Sequence, residues 1–147
     1  MKLYRSSVLV CAFVLLWSVT GRGADSVPKS ADGVFIHLSQ GAREPHRVLM
    51  ALQMAVLMSE DHPVLVYFDI DAIGIVLKDA EDLTFAHFPS LKTQLAKLTE
   101  KGATLMACPG CLKAAGKTAE DLAPGIRVAE KSKFFSFTRG RILTLDY

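Results

Sequence analysis

Apolar positions fall in two patterns that alternate along the chain: short unbroken runs, and stripes at helical spacing. Gly33-Val34-Phe35-Ile36-His37-Leu38 is a run of strand length, closed by the turn Ser39-Gln40-Gly41. From Glu44 to Glu60, Val48, Leu49, Leu52, Ala55, Val56 and Met58 recur at helical spacing, with Pro45 in the first turn and His62-Pro63 as the break. Val64-Leu65-Val66-Tyr67-Phe68 is apolar throughout, which predicts a strand buried on both faces. A loop from Asp69 to Gly74 follows, with a helical turn or two expected over Ile73 to Lys78. Pro89 to Lys101 carries Leu91, Leu95 and Leu98 on one stripe and stops at Gly102. Ala103 to Ala107 is the third strand, Ile126-Arg127-Val128 a short fourth, and Arg141 to Leu145 the last. Glu130 to Thr138, with Phe134, Phe135 and Phe137, fits either helix or strand.

Alternation of this kind predicts a single flavodoxin-like α/β domain over residues 33–147. Its sheet should be mostly parallel, of four to five strands, with helices on both faces. Ligands of such sheets sit beyond the carboxyl ends of the strands. The loops at Ser39, Asp69 and Cys108 each follow a strand, so all three are expected on one edge.

The first residues follow a different pattern. Met1-Lys2-Leu3-Tyr4-Arg5 is a basic start, Ser6 to Val19 is largely apolar, and Gly21-Arg22-Gly23-Ala24 supplies small residues. This is the three-part form of a secretory signal, expected over residues 1–23 with cleavage between 21 and 24, followed by a linker over 24–32. The apolar stretch is shorter than the ~20 residues of a spanning helix, so no stable membrane insertion is expected after cleavage. The expected location is periplasmic or secreted. Removing Lys2, Arg5 and Arg22 from the 17 basic residues leaves 14 against 15 acidic ones. A near-neutral domain carries no electrostatic footprint for nucleic acid. Cys11 leaves with the signal, so the mature chain keeps two of its three cysteines, Cys108 and Cys111.

Those two form the most informative motif, Cys108-Pro109-Gly110-Cys111, placed between a strand and a helix-like stretch, Leu112-Lys113-Ala114-Ala115. With Cys108 as the N-cap, Pro109 takes the first helical position, where its missing N–H costs nothing. The Cys108 sulfur can then accept from the N–H groups of Gly110 and Cys111, which lowers a thiol pKa below its usual ~8.5. Cys108 is therefore the candidate nucleophile and Cys111 the candidate resolving thiol.

Three functions fit a pair of thiols so placed. The first is carriage of sulfane sulfur as a persulfide, by a sulfurtransferase or by a non-catalytic carrier. The second is thiol–disulfide exchange. There the motif would follow an early strand and face a later cis-proline; here it follows the third strand. The third is copper(I) binding, since Met106-Ala107-Cys108-Pro109-Gly110-Cys111 has the form MxCxxC and two thiolates suit a soft ion. On that reading the ligands are Cys108, Cys111 and Met106; otherwise no cofactor or metal is expected. A plain structural disulfide within the motif closes too small a loop to stabilise the fold much.

Other residues carry weaker signals. His37, inside an apolar strand, reads as a core or edge histidine rather than a ligand. Arg43 and His46 follow the first strand, where a cation facing the thiols would favour a thiolate; the simpler reading is a solvated helix start. Asp69 and Asp71 form an acidic loop without a full cation-ligand spacing. Lys113, one turn past the motif, is a candidate partner for anionic sulfur. Met106 reads first as core, and Met50, Met54 and Met58 as packing.

The order of these pieces resembles the DsrE/DsrF-like sulfur-relay family. The resemblance runs from the strand Val34 to Leu38, through the helix with Ala51 and Ala55 and the strand Val64 to Phe68, to the helix Phe88 to Lys101. It continues through Gly102-Ala103-Thr104-Leu105-Met106-Ala107-Cys108 and on to Gly125-Ile126-Arg127-Val128 and the terminal strand. The stretch from Cys108 to Gly116 is similar to an exported branch of the family. The resemblance implies a flavodoxin-like domain, assembly into a homotrimer or homohexamer, and a persulfide-carrying cysteine that maps onto Cys108. The signal-like start departs from the family's cytoplasmic relay proteins, so the sulfur donor and acceptor are not named by it.

Overall fold

The computed structural model describes residues 32–147; the expected signal and all but the last residue of the expected linker lie outside the described residues. The elements run β1 (Gly33–Leu38), α1 (Pro45–Met58), β2 (Val64–Phe68), a 3-10 segment (Ile70–Ile75), α2 (Leu91–Glu100) and β3 (Thr104–Ala107). Then come α3 (Pro109–Ala114), a 3-10 turn (Ala119–Asp121), β4 (Ile126–Val128), α4 (Lys131–Phe137) and β5 (Ile142–Asp146). The five strands form one sheet in the order β4-β3-β2-β1-β5, and every neighbouring pair is parallel.

Side chains along a strand alternate between faces. Val34, Ile36 and Leu38 of β1, Val64, Val66 and Phe68 of β2, and Leu105 and Ala107 of β3 enter one core with the inner stripe of α1. Helix α1 packs on β1, β2 and α2, so α1 and α2 cover this face. Leu91 and Leu98 of α2 are fully buried, each such side chain contributing ~1.5–3 kcal/mol relative to exposure. The one buried polar side chain among the described residues is Gln94; its amide donates to the carbonyls of Leu49 (3.1 Å) and Pro89 (2.9 Å), joining α2 to α1.

The opposite face carries Phe35 and Tyr67, and α4 covers it. The Phe134 ring lies 6.2 Å from Phe35 and 5.2 Å from Tyr67, centroid to centroid. A methyl group on Gly33 would meet the Phe137 ring at 2.9 Å, so α4 lies directly on β1 there. Topology explains the placement. The chain steps from β1 to β2 to β3 to β4 in one direction, then returns past β3, β2 and β1 to β5. Parallel crossovers keep one hand, so reversing direction moves the helix to the other face. The stretch 130–138, undecided by its phenylalanine spacing, is thereby a helix that must bridge the sheet.

Helices thus lie on both faces of a wholly parallel five-stranded sheet, as the alternation predicts. The helical turn expected at Ile73 begins earlier, at Ile70. Among the described residues no helix is long and apolar enough to cross a membrane.

Candidate functional site: two thiols at the end of the third strand

Parallel pairing brings the carboxyl ends of β1, β2 and β3 side by side, and the three loops that follow them share one edge. The loops are bound to one another. The N–H of Cys108 donates to the carbonyl of Phe68 at 2.8 Å, carrying the β2–β3 ladder into the motif. The N–H of Asp69 donates to the carbonyl of Leu38 at 3.2 Å. A methyl group on Gly41 would lie 2.5 Å from the backbone oxygen of Asp71, so only glycine lets the first two loops approach this closely.

Cys108 is the N-cap of α3 and Pro109 its first residue. The Cys108 sulfur accepts from the Cys111 N–H at 3.3 Å. Both thiols are free and half-buried. Burial alone would raise the Cys108 pKa, but the Cys111 thiol, the Tyr67 hydroxyl and the N–H groups of Cys111 and Gly110 outweigh it and hold the pKa below that of an ordinary thiol. Cys111 moves the other way. It shares its proton with Cys108, which raises its pKa, and the Ile70 N–H opposes this only in part. Burial and the hydrogen bond to Cys108 push the Tyr67 phenol far up, so its hydroxyl stays a donor at neutral pH. The site therefore holds one thiolate-prone sulfur and one thiol, with donors collected around the first.

Ile70 is held unusually. Its φ is +47°, left-handed backbone that a β-branched residue rarely adopts, at a cost on the order of 1–3 kcal/mol. Its N–H favours the Cys111 thiolate, and its side chain is 65% exposed beside the motif.

The model of the DsrE/DsrF-like family matches residues 32–138. The chain belongs to the DsrE/DsrF-like family. Membership carries a sulfur-relay-type function in the broad sense. Two solved structures share the DsrE/DsrF-like fold with it. The ychN protein from E. coli superposes with a TM-score of 0.62 at 15% identity, covering 78% of this chain and 99% of that one. MTH1491 from Methanobacterium thermoautotrophicum, a protein of unknown function, gives 0.57 at 19% identity with the same coverages. No curated protein sequence matches the chain.

In this DsrE/DsrF-like chain the residues singled out from sequence fall into distinct places. Cys108 and Cys111 come together as read. Arg43 does not face them; it pairs with Asp71 at 2.6 Å. His46 stacks on Phe85 at 4.8 Å and touches Phe88, away from any hydrogen bond to sulfur. Lys113 is exposed. Met106 is 1% exposed, a core position. Met54 and Met58 pack against the core as read, whereas Met50 is exposed and does not.

Two features were missed. Tyr67 reads in sequence as one more apolar strand residue, yet its place beside β3 lets its hydroxyl favour the Cys108 thiolate. His37 is not merely an edge histidine: its Nε2 lies 2.9 Å from Asp69 Oδ2 and its Nδ1 3.0 Å from Asp146 Oδ1. The alternation of β1 places His37 on the Tyr67 face, but no local signal identifies partners 32 and 109 residues away.

Proposed function

We propose that this chain is an exported sulfur-handling protein that carries sulfane sulfur as a persulfide on Cys108, with Cys111 as the thiol that resolves it. The observation that carries the reading is the Cys108 sulfur at the head of α3, accepting from the Cys111 N–H at 3.3 Å. A sulfur so held is a nucleophile near neutral pH and a good leaving group when its cargo departs. Loading forms a bond between Cys108 Sγ and the donor's sulfane sulfur while the donor's own S–S bond breaks, its electron pair leaving with the donor. Family membership supports the same reading. Against thioredoxin-like exchange stand the motif's place after β3 and the lack of any cis peptide among the described residues.

The test is intact-mass spectrometry of the mature exported protein, native and then denatured. Additions of about 32 mass units that map to Cys108 and vanish with reductant support sulfur carriage. A copper-sized addition lost on denaturation supports the MxCxxC reading through Cys108, Cys111 and Met106. A mass about two units below the dithiol, with nothing added, supports redox exchange. Cys108→Ser is expected to abolish loading, and Cys111→Ser to leave a loaded species that persists. Equal loading of Cys108→Ser would overturn the assignment. The native spectrum also reads the homotrimer or homohexamer that belongs to this proposal.

A further inference from the structure

Beside the thiols the same edge carries a charged cluster to which sulfur carriage assigns no role. His37 lies at the end of β1, Asp69 follows β2 and Asp146 ends β5. His37 and Asp146 face each other in register. The crossovers leaving β1 and entering β5 lie on opposite faces, so this pair spans the point where ligands of such sheets settle. An ionised carboxylate only accepts hydrogen bonds, so an imidazole ring between two of them is satisfied when both its nitrogens carry protons. One cation between two anions leaves a single negative charge.

That charge sits next to the sulfur site. Cys108 is bonded through its N–H to Phe68, the residue before Asp69. The N–H of Ile70, the residue after, acts on the Cys111 thiol. Asp69 acts electrostatically on both Tyr67 and Cys111. Its Oδ2 is taken by His37, and its Oδ1 is closed to solvent without a hydrogen-bond partner among the described residues. The two cations that the sequence offered as partners for the sulfur do not cover it: Arg43 is bound to Asp71, and Lys113 is exposed.

Building on the sulfur reading above, we propose that Asp69, positioned by His37 and Asp146, is a specificity-determining residue of the site. It turns away donors whose sulfane sulfur is attached to an anionic group, such as thiosulfate, and admits alkyl persulfides that react in their protonated RSSH form and carry no negative charge elsewhere. With an alkyl persulfide, the Cys108 thiolate attacks the outer sulfur. The Sγ–S bond forms, the donor's S–S bond breaks, and the electron pair leaves as the alkyl thiolate. The proton stays on the transferred sulfur and nothing is oxidised overall. Thiosulfate would undergo the same exchange with sulfite leaving, but it must bring two negative charges up to Asp69. A unit charge beside a partly wet site changes the rate of such an approach on the order of fivefold.

The experiment compares 2-aminoethyl, 2-hydroxyethyl and 2-sulfonatoethyl persulfide, matched in length and differing in charge. Loading of Cys108 is followed by intact mass. The expected rates fall in that order, about fivefold per step, and Asp69→Asn compresses the series. A second readout uses the unmodified protein. Cys108 is the nucleophile for every donor, so its own titration cancels in the ratio of two rates, and each rate is referred to the donor's protonated persulfide, whose ionisation is measured separately. The groups facing His37 are the Asp69 and Asp146 carboxylates and the Tyr67 ring, whose phenol stays neutral. As pH rises and His37 loses its proton, the cluster becomes more negative, and the hydroxyethyl-to-sulfonatoethyl ratio should widen. Equal rates for the three donors, or a ratio flat with both pH and Asp69→Asn, overturns the inference. Failure of every donor to load Cys108 overturns instead the sulfur reading beneath it.

Discussion

The His37 clamp makes a stability prediction whose sign is fixed by its geometry. The perturbation is His37→Asn. The His37 side chain is 33% exposed, its inner partner Asp69 18% and its outer partner Asp146 69%. The outer contact is an exposed ion pair, contributing about 0.5 kcal/mol. The inner contact is a hydrogen bond between charged groups, which contributes about 1.5–3 kcal/mol when fully buried; with the ring partly in water, ~1 kcal/mol remains. His37→Asn should therefore cost about 1.5 kcal/mol on the acid side of neutrality. Burial disfavours the charged ring, but Asp69 and then Asp146 overcome it, so the folded pKa lies above 6.5. A raised histidine pKa gives stability that is full below the unfolded value of ~6.5 and lost as pH climbs through the folded value. Urea unfolding under reductant, read by circular dichroism, should show the wild-type advantage at about pH 6 shrinking toward zero at about pH 9. A small pH-independent remainder from lost contact with the Tyr67 ring is expected. An advantage equal at the two pH values, or larger at the alkaline one, refutes the clamp.

Two further outcomes follow from single contacts. Tyr67→Phe removes a donor from the Cys108 sulfur, so the pH profile of Cys108 alkylation by iodoacetamide should move to higher pH; an unmoved profile would show that the hydroxyl does not reach the sulfur. Gly125→Ala places a methyl 2.6 Å from Thr99 Oγ1 at a φ of +86°, and that hydroxyl is already committed to the Leu95 carbonyl. A loss of about 1–3 kcal/mol in urea unfolding is expected, and a neutral substitution would refute the close approach of the β4 entry to α2.

How much of this was legible depended on the range of the interactions involved. β1, α1, β2, α2 and β3 were readable because each is set by its own apolar period. The Cys108 site was readable for the same reason: N-cap, proline, glycine and second thiol lie within four consecutive residues, and local backbone geometry does the rest. Helix α4 was not, since Phe134, Phe135 and Phe137 satisfy either period. What decides it is the strand order, which forces the chain from β4 back across the sheet to β5. Tyr67 and His37 failed for a related reason. Each is an apolar-run residue whose role is given by a neighbour in another strand: Cys108 beyond β3, Asp69 beyond β2 and Asp146 on β5.

That contrast bears on how the site works. The nucleophile is built from local sequence, while the groups that tune it arrive only when five strands pair. Cys108 owes the N–H hydrogen bond from Cys111 to α3 alone, a contact present wherever that short helix forms. The Tyr67 hydroxyl and the Asp69 charge, the latter held by the His37 ring, reach the thiols only in the assembled sheet, through the Cys108–Phe68 and Asp69–Leu38 backbone bonds. A loosened carboxyl edge should therefore keep a reactive cysteine and lose its discrimination. If the proposed discrimination holds, selectivity among sulfur donors, rather than reactivity toward iodoacetamide, is the property that reports whether this site is intact.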